Sequence, residues 1–215
     1  MRQKIGIIGA TGKAGSAVTA EALKRGHEVT VLVRDGEKAR ALGDVEIHVI
    51  DALRLTSDDI VGLDVLVNAF GTAPEEAEQH IEVTRNLIEL ARELGPNSPR
   101  LLFILGAGSL TSADGGLFVE EIRRMPGAEH WISIPENQLR QLEYLRTVKD
   151  VEWVGVSPQA TFLEGEATEP VLGADEIILA ADGESHTTTG TMAVALLDEI
   201  ERRRHKNTRF TVSDK

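Results

Sequence analysis

Residues 4–35 read KIGIIGATGKAGSAVTAEALKRGHEVTVLVRD. An apolar run at 4–8 enters a loop carrying Gly9, Gly12 and Gly15, and beyond it Ala14, Ala17, Val18 and Ala22 recur at helical spacing. Gly26 stops that helix, and residues 29–33 read as a second strand. Strand, glycine loop, helix and strand together form a unit in which a pyrophosphate can approach bare backbone. The helix N-terminus then offers free N–H groups and a partial positive charge. The spacing is GxxGxxG rather than GxGxxG, so the surrounding unit carries the reading more than the glycines alone. Lys13 adds a cation beside the loop.

Outward from this unit the alternation continues. Strands are expected at 46–50, 65–69, 101–105, 152–156 and 209–212, seven in all with the first two. Helices are expected from near Pro74 to a stop at Gly95 and Pro96, near 136–147 and near 191–204. Such alternation predicts a doubly wound α/β domain, a parallel sheet of about seven strands with helices on both faces. Two stretches, 106–134 and 157–189, lack strong periodicity and follow the carboxyl ends of predicted strands, where open α/β sheets place ligands. They are the expected pocket walls, the second forming a small C-terminal lobe of the single domain 1–215.

Composition narrows the function classes. The 215 residues carry a formal charge of -12, a field that repels phosphate backbones and argues against nucleic acid as a partner. The basic run 202–206 ends a predicted helix, where cations complement the dipole. With no cysteine, thiolate chemistry, disulfides and cysteine-held metals are excluded, and no histidine pair sits at metal-ligand spacing. No apolar run approaches the roughly 20 residues of a membrane helix. Met1 leads into a strand without a basic, apolar leader, which makes the cytoplasm the expected location. The expected partner is a small-molecule acceptor, and the oligomeric state stays open.

At the end of the second strand stand Arg34 and Asp35. An acidic residue there suits the ribose hydroxyls of NAD, whereas arginine accommodates the 2'-phosphate of NADP. The leading arginine favours NADPH, with NADH as the alternative.

Several separated segments extend the argument: GATGKAG, VLVRD, VLVNAFG, LLFILGAGSL, VGVSPQATF and GESHTTTGTMAVALLDEIE. In this order they resemble atypical short-chain dehydrogenase/reductases, in particular small NAD(P)H-binding proteins of the NADH-flavin reductase and biliverdin reductase B type. The resemblance implies a Rossmann sheet and a nicotinamide cofactor. It places Gly9, Thr11, Gly12, Lys13 and Gly15 around the phosphates and Arg34 at the adenosine ribose. Asp51, Ala69, Phe70 and Gly71 would flank adenine, and Ser109 and Pro158 would border the nicotinamide. For Asp51 a turn or helix-cap carboxylate is an equal reading.

Better-known members of that superfamily use a tyrosine and a lysine four residues later, on one helical face. The matching positions here hold Glu136 and Arg140. Tyr144 stands five residues before Lys149, about 140° around a helix from it. With no such dyad, the expected acceptor is one whose reduced form spreads negative charge itself, a flavin or a quinone, and orientation supplies much of the rate. Ser109 is the candidate hydrogen-bond partner for the acceptor, against a backbone-capping role. Glu136 and Arg140 are candidates for catalysis, against a plain i,i+4 ion pair. A cofactor-binding redox sensor that turns nothing over is the second reading, and a sugar-nucleotide epimerase or dehydratase the third. His27, His48, His80 and His205 read as surface or boundary residues, while His130, Trp131, Phe162 and His186 fall in the expected pocket walls.

Overall fold

The computed structural model describes all 215 residues. Its strands are β1 (Lys4–Ile8), β2 (Glu28–Val33), β3 (Glu46–Val49), β4 (Val65–Asn68), β5 (Arg100–Ile104), β6 (Trp153–Ser157), β7 (Thr161–Leu163), β8 (Val171–Gly173), β9 (His186–Thr188) and β10 (Thr208–Ser213). Its helices are α1 (Lys13–Lys24), α2 (Gly36–Ala39), α3 (Ser57–Ile60), α4 (Gln79–Leu94), α5 (Phe118–Ile122), α6 (Ser133–Thr147) and α7 (Thr189–Arg202).

The main sheet runs β3-β2-β1-β4-β5-β6-β10-β8. All pairings are parallel except β10 with β8. The chain reverses direction across the sheet between β1 and β4, and that switch point opens a crevice at the strands' carboxyl ends. In register, Ile5 faces Val29 on one side and Val65 on the other.

Strand periodicity divides the core into two layers. Ile5, Ile7, Val31, Val67, Val154 and Val156 point to one face, where they meet Val18 and Ala22 of α1 and Leu196 and Ile200 of α7. Ile8, Leu32, Leu66, Leu101, Phe103 and Trp153 point to the other, against Leu87 and Ile88 of α4 and Leu142 and Leu145 of α6. Both layers are built mainly of apolar side chains, the signature of a sheet covered on both sides. No helix is long and apolar enough to cross a membrane.

The sheet has eight strands rather than about seven. The extra strand, β8, is three residues at the edge, and β7 pairs with β9 in a separate two-stranded sheet. Both lie in the 157–189 lobe, where short pairings depend on partners distant in sequence. The helix expected from Pro74 also divides. Pro74–Glu76 makes one 3-10 turn and α4 begins at Gln79. The Pro74 carbonyl accepts from Ser133 Oγ of α6 at 2.7 Å.

Two histidines expected at the surface or its boundary are buried. His27 accepts from the Gln3 N–H through Nδ1 at 3.2 Å and meets Glu201 through Nε2. His80 packs edge-on against Phe70, with ring centroids 5.5 Å apart, and its Nε2 has no hydrogen-bond partner. Burial pushes its pKa down from 6.5 to about 4. A histidine depressed in the fold stabilises above its unfolded pKa, and that contribution disappears as pH falls from 6.5 towards 4. His80→Leu is therefore expected to lose less stability between neutral pH and about pH 4.5 than the parent does, by about 2 kcal/mol. Urea melts at the two pH values test this, and equal losses would refute it.

Candidate functional site

A cleft of about 760 Å³ lies at the carboxyl end of the sheet, over the switch point. Its volume is in the range of sites for large organic ligands. The loop after β1 supplies Gly9, Thr11, Gly12 and Lys13, and the end of β2 supplies Arg34 and Asp35 with Lys38 from α2. Residues 69–73 after β4 and 104–106 at the end of β5 continue the wall, and Gln138, Pro158 and Phe162 close it.

The glycine loop divides its labour. Gly9 has φ +71°, and a Cβ there would stand 2.4 Å from the Ala69 carbonyl oxygen. At Gly15 a Cβ would stand 2.2 Å from the Gly9 carbonyl oxygen, so this residue lets α1 lie on the loop rather than lining the cleft. Gly12 differs, because its φ is -84° and only the Gly9 oxygen, at 3.2 Å, lies near a would-be Cβ. Internal packing asks for a few tenths of an ångström of relief there, far less than at Gly9 or Gly15, whereas a ligand against the backbone would ask for a bare Cα. Gly12 also caps α1 without a side-chain hydrogen bond, and no acidic residue occupies the first turn. The helix end thus keeps its N–H groups and positive field available to an anion.

Lys13 does not project freely. Its Nζ donates to the Phe162 carbonyl and lies 5.1 Å from the centre of that ring, joining the loop to β7 across the cleft. Arg34 is exposed on the cleft wall with no carboxylate within 4 Å of its guanidinium. Asp35 caps α2 instead, accepting from the Glu37 and Lys38 N–H groups at 3.1 and 3.2 Å. Asp51 stands outside the cleft and caps a turn by accepting from the Leu53 N–H, while its neighbours Ile50 and Ala52 reach the lining. Ala69, Phe70, Gly71 and Pro158 all line the cleft.

The candidate catalytic residues do not assemble. Ser109 is buried and away from the cleft lining. Its hydroxyl donates its one proton to the Gly106 carbonyl (3.3 Å) and accepts from Arg209 Nη1 (3.1 Å), so no proton is left to offer an acceptor. Arg209 also donates to Ser157 Oγ and ion-pairs with Asp175, and burial lowers its pKa. Glu136 pairs with Arg123 at 2.8 Å rather than with Arg140, which is exposed and outside the cleft. Tyr144 lies under Arg85, 5.4 Å from its ring, and Lys149 donates to the Arg146 carbonyl, so neither reaches the cleft.

Gln138 does reach it, and its amide has no hydrogen-bond partner in the fold. The sequence carries little signal for it, because α6 holds amides at Asn137, Gln138 and Gln141, of which Asn137 and Gln141 are buried and only Gln138 lines the cleft. Of the expected pocket walls, 106–134 contributes Gly106 and 157–189 contributes Pro158 and Phe162. Trp131 and His130 are exposed elsewhere. His186 bridges Asp214 (2.8 Å) and Asp182 (3.0 Å), which anchors the C-terminal lobe.

A glycine at position 12 that the fold demands less than it demands Gly9 and Gly15, a helix N-terminus without an acidic residue, and an arginine after the second strand with no carboxylate partner fit a dinucleotide. A family described as NAD(P)H-binding matches residues 9–199. YwnB of Bacillus subtilis, a protein of uncharacterised function, is 41% identical over 217 residues, covering 97% of each chain. A Streptococcus pneumoniae protein provisionally named an NADH-flavin reductase is 30% identical with a TM-score of 0.86, covering 99% of this chain and 100% of its own. A Bacteroides thetaiotaomicron protein provisionally named an epimerase is 31% identical with a TM-score of 0.88, covering 100% of this chain and 98% of its own. The shared fold and matched residues thus place this chain in the NAD(P)H-binding family of Rossmann proteins.

Proposed function

We propose that the protein is an NADPH-dependent reductase that passes a hydride to a conjugated acceptor of flavin or quinone type. The observation that carries this reading is the asymmetry of the cleft. Arg34 and Lys38 stand at the end of β2 and Lys13 of the glycine loop reaches across to Phe162, while the wall formed by Ala73, Ile104, Leu105 and Pro158 is apolar and carries one unpartnered amide, Gln138. The N–H groups of α1 and the bare backbone at Gly12 would hold the diphosphate, and Arg34 with Lys38 the 2'-phosphate. When bound, reduced nicotinamide supplies a hydride, and the exchange NADPH + acceptor + H⁺ → NADP⁺ + reduced acceptor takes its proton from water. The chain's own part is to orient and to exclude solvent. Phe162, Pro158 and Leu105 wall the site, and Gln138 donates to or accepts from a polar edge of the acceptor. Simple ketone reduction and epimerisation call for a positioned proton donor, and the wall formed by Ala73, Ile104, Leu105, Gln138 and Pro158 offers only the Gln138 amide.

The test is oxidation of NADPH followed at 340 nm with riboflavin or menadione, against a protein-free control. Turnover is expected, and Gln138→Leu should lower kcat/KM by about tenfold while leaving the NADPH Kd unchanged. Unchanged kcat/KM would remove Gln138 from the reaction. No turnover with either acceptor, alongside tight NADPH binding, would favour the redox-sensor reading instead.

Cofactor choice is tested separately. Arg34→Ala should weaken NADPH binding by roughly 1.5–3 kcal/mol, the worth of charged hydrogen bonds. NADH binding should hardly change. Calorimetric titration of both coenzymes decides, and equal losses would mean that Arg34 does not read the 2'-phosphate.

A further inference from the structure

The part of the cleft wall formed by 104–106, Gln138 and Pro158 comes from three segments, the exit of β5, α6 and the exit of β6. All three lead to one side chain outside the lining, Arg209 of β10, which is 4% exposed. Gly155 of β6 faces Arg209 in register, and a Cβ there would stand 3.3 Å from the arginine's Cβ and Cγ, so the bare strand leaves room for its stem. The guanidinium then places all five of its N–H donors. Nη1 donates to Ser157 Oγ at 2.9 Å, directly before Pro158, and to Ser109 Oγ at 3.1 Å, whose own proton goes to the Gly106 carbonyl. Nη2 reaches the Ser109 carbonyl oxygen at 3.4 Å and Asp175, and Nε donates to Asp175 Oδ1 at 2.9 Å. Asp175 also accepts at 2.9 Å from Arg146 of α6, about two turns beyond Gln138. Its carbonyl accepts from the Thr111 N–H at 2.7 Å, and the Thr111 carbonyl accepts from the Ile177 N–H, so this stretch of the lobe is pinned to the chain beyond β5. Neither Arg209 nor Asp175 bonds to the glycine loop or to the end of β2.

We propose that Arg209, held by Asp175, is a positioning residue that sets the spacing of Gly106, Gln138 and Pro158 around the acceptor ring without touching the acceptor. This rests on the reductase reading and names what holds its acceptor wall. An apolar side chain of similar volume would hold β10 at least as firmly as a buried ion pair, so what the guanidinium adds is direction. Its planar fork fixes the turn after β5, the end of β6 and the lobe relative to one another, whereas a lysine offers only a point charge. Hydride transfer is sensitive to that spacing, since a misplacement of about 1 Å can cost on the order of 100-fold in rate.

The experiment compares acceptor use with coenzyme binding in the full chain. Arg209→Met is expected to lower kcat/KM for menadione, at saturating NADPH, roughly 10–100-fold. The NADPH Kd, measured by calorimetry, should stay within about twofold, because the segments that would hold the phosphates make no bond to the pair. Arg209→Lys keeps the charge without the fork and should fall nearly as far. Asp175→Asn, at a half-exposed position, should give a smaller loss of the same kind, and it decides the matter if Arg209→Met does not fold. Amide exchange read by mass spectrometry should quicken at 106–111, 157–163 and 174–178 and not at 9–15 or 33–38. Coenzyme affinity falling together with acceptor use, no loss in either, or parental rates restored by lysine each overturns the inference and leaves the reductase reading intact. If the parent oxidises NADPH with neither menadione nor riboflavin, that reading falls and amide exchange decides for the pair. Quickening confined to the wall segments then supports its role there, and quickening that is absent or spreads to the glycine loop overturns it.

Discussion

Glu199→Ala is expected to destabilise the protein by about 3–5 kcal/mol, the cost of leaving a buried charge unpaired. For a chain of this size that corresponds to a fall in Tm on the order of 10 °C. Glu199 sits near the end of α7 and is 3% exposed, and Arg100, at the start of β5, is 5% exposed. Their side chains meet at 2.6 Å, and Glu199 also accepts from His205 Nδ1 at 2.7 Å and from the His205 N–H at 3.1 Å. Burial alone would raise this carboxyl's pKa, but the hydrogen bonds from Arg100 and His205 outweigh it and hold the group below the usual carboxylate range. Its contribution is therefore present above the unfolded pKa and lost as pH falls through the folded one. Removing the carboxylate leaves Arg100, which cannot discharge, with only the half-exposed Glu152 as an ionic partner. Arg100→Met with Glu199→Leu should cost less than Glu199→Ala alone, because no charge is then stranded. Chemical denaturation of the three variants checks this. A loss under about 1 kcal/mol for Glu199→Ala would show that water reaches the pair.

That pair also marks how far the sequence could be read. β1, β2, β4, β5 and β6 were legible because each is a largely apolar run whose alternate residues face two covered layers, so local pattern and tertiary burial agree. β8 was not, because Val171, Leu172 and Gly173 gain strand structure only from β10, some forty residues on. The cleft was legible where backbone makes it. Gly9, Gly12, Ala69, Phe70, Gly71 and Pro158 follow strand ends, and strand ends define the crevice. Side-chain roles that hang on a distant partner were not. Ser109 looks free until Arg209 arrives beside it, and Glu136 prefers Arg123 over a neighbour on its own helix. His80 lies beside an apolar stripe, and only the packing of α4 against α6 and Phe70 decides that it is inside. Gln138 was no more legible, since Asn137 and Gln141 on the same helix are amides too and only the tertiary arrangement decides which of the three lines the cleft.

The same distinction between local and tertiary demand governs the glycine loop, where two neighbouring substitutions are expected to fail differently. At Gly15 a methyl group would press on the Gly9 carbonyl oxygen at 2.2 Å and on Ala10 Cα at 2.8 Å, both backbone atoms that cannot rotate aside. Gly15→Ala must therefore displace α1 from the loop, and stability and coenzyme binding should fall together. At Gly12 the backbone is already in a region open to any residue, and the single close atom stands at 3.2 Å. Gly12→Ala should fold with less than about 1 kcal/mol of loss. Its methyl would nevertheless occupy the surface on which a diphosphate must rest to reach the α1 N–H groups. NADPH affinity is expected to drop on the order of 100-fold, about 2.7 kcal/mol. Thermal unfolding without coenzyme and calorimetric titration with NADPH separate the two effects. Should Gly12→Ala bind NADPH as the parent does, the helix N-terminus is not where the diphosphate lies, and the orientation of the coenzyme along the cleft would have to be reassigned. Should Gly15→Ala keep full stability, the loop is looser than its backbone contacts indicate, and the spacing of the glycines would owe more to the ligand than to the packing of α1.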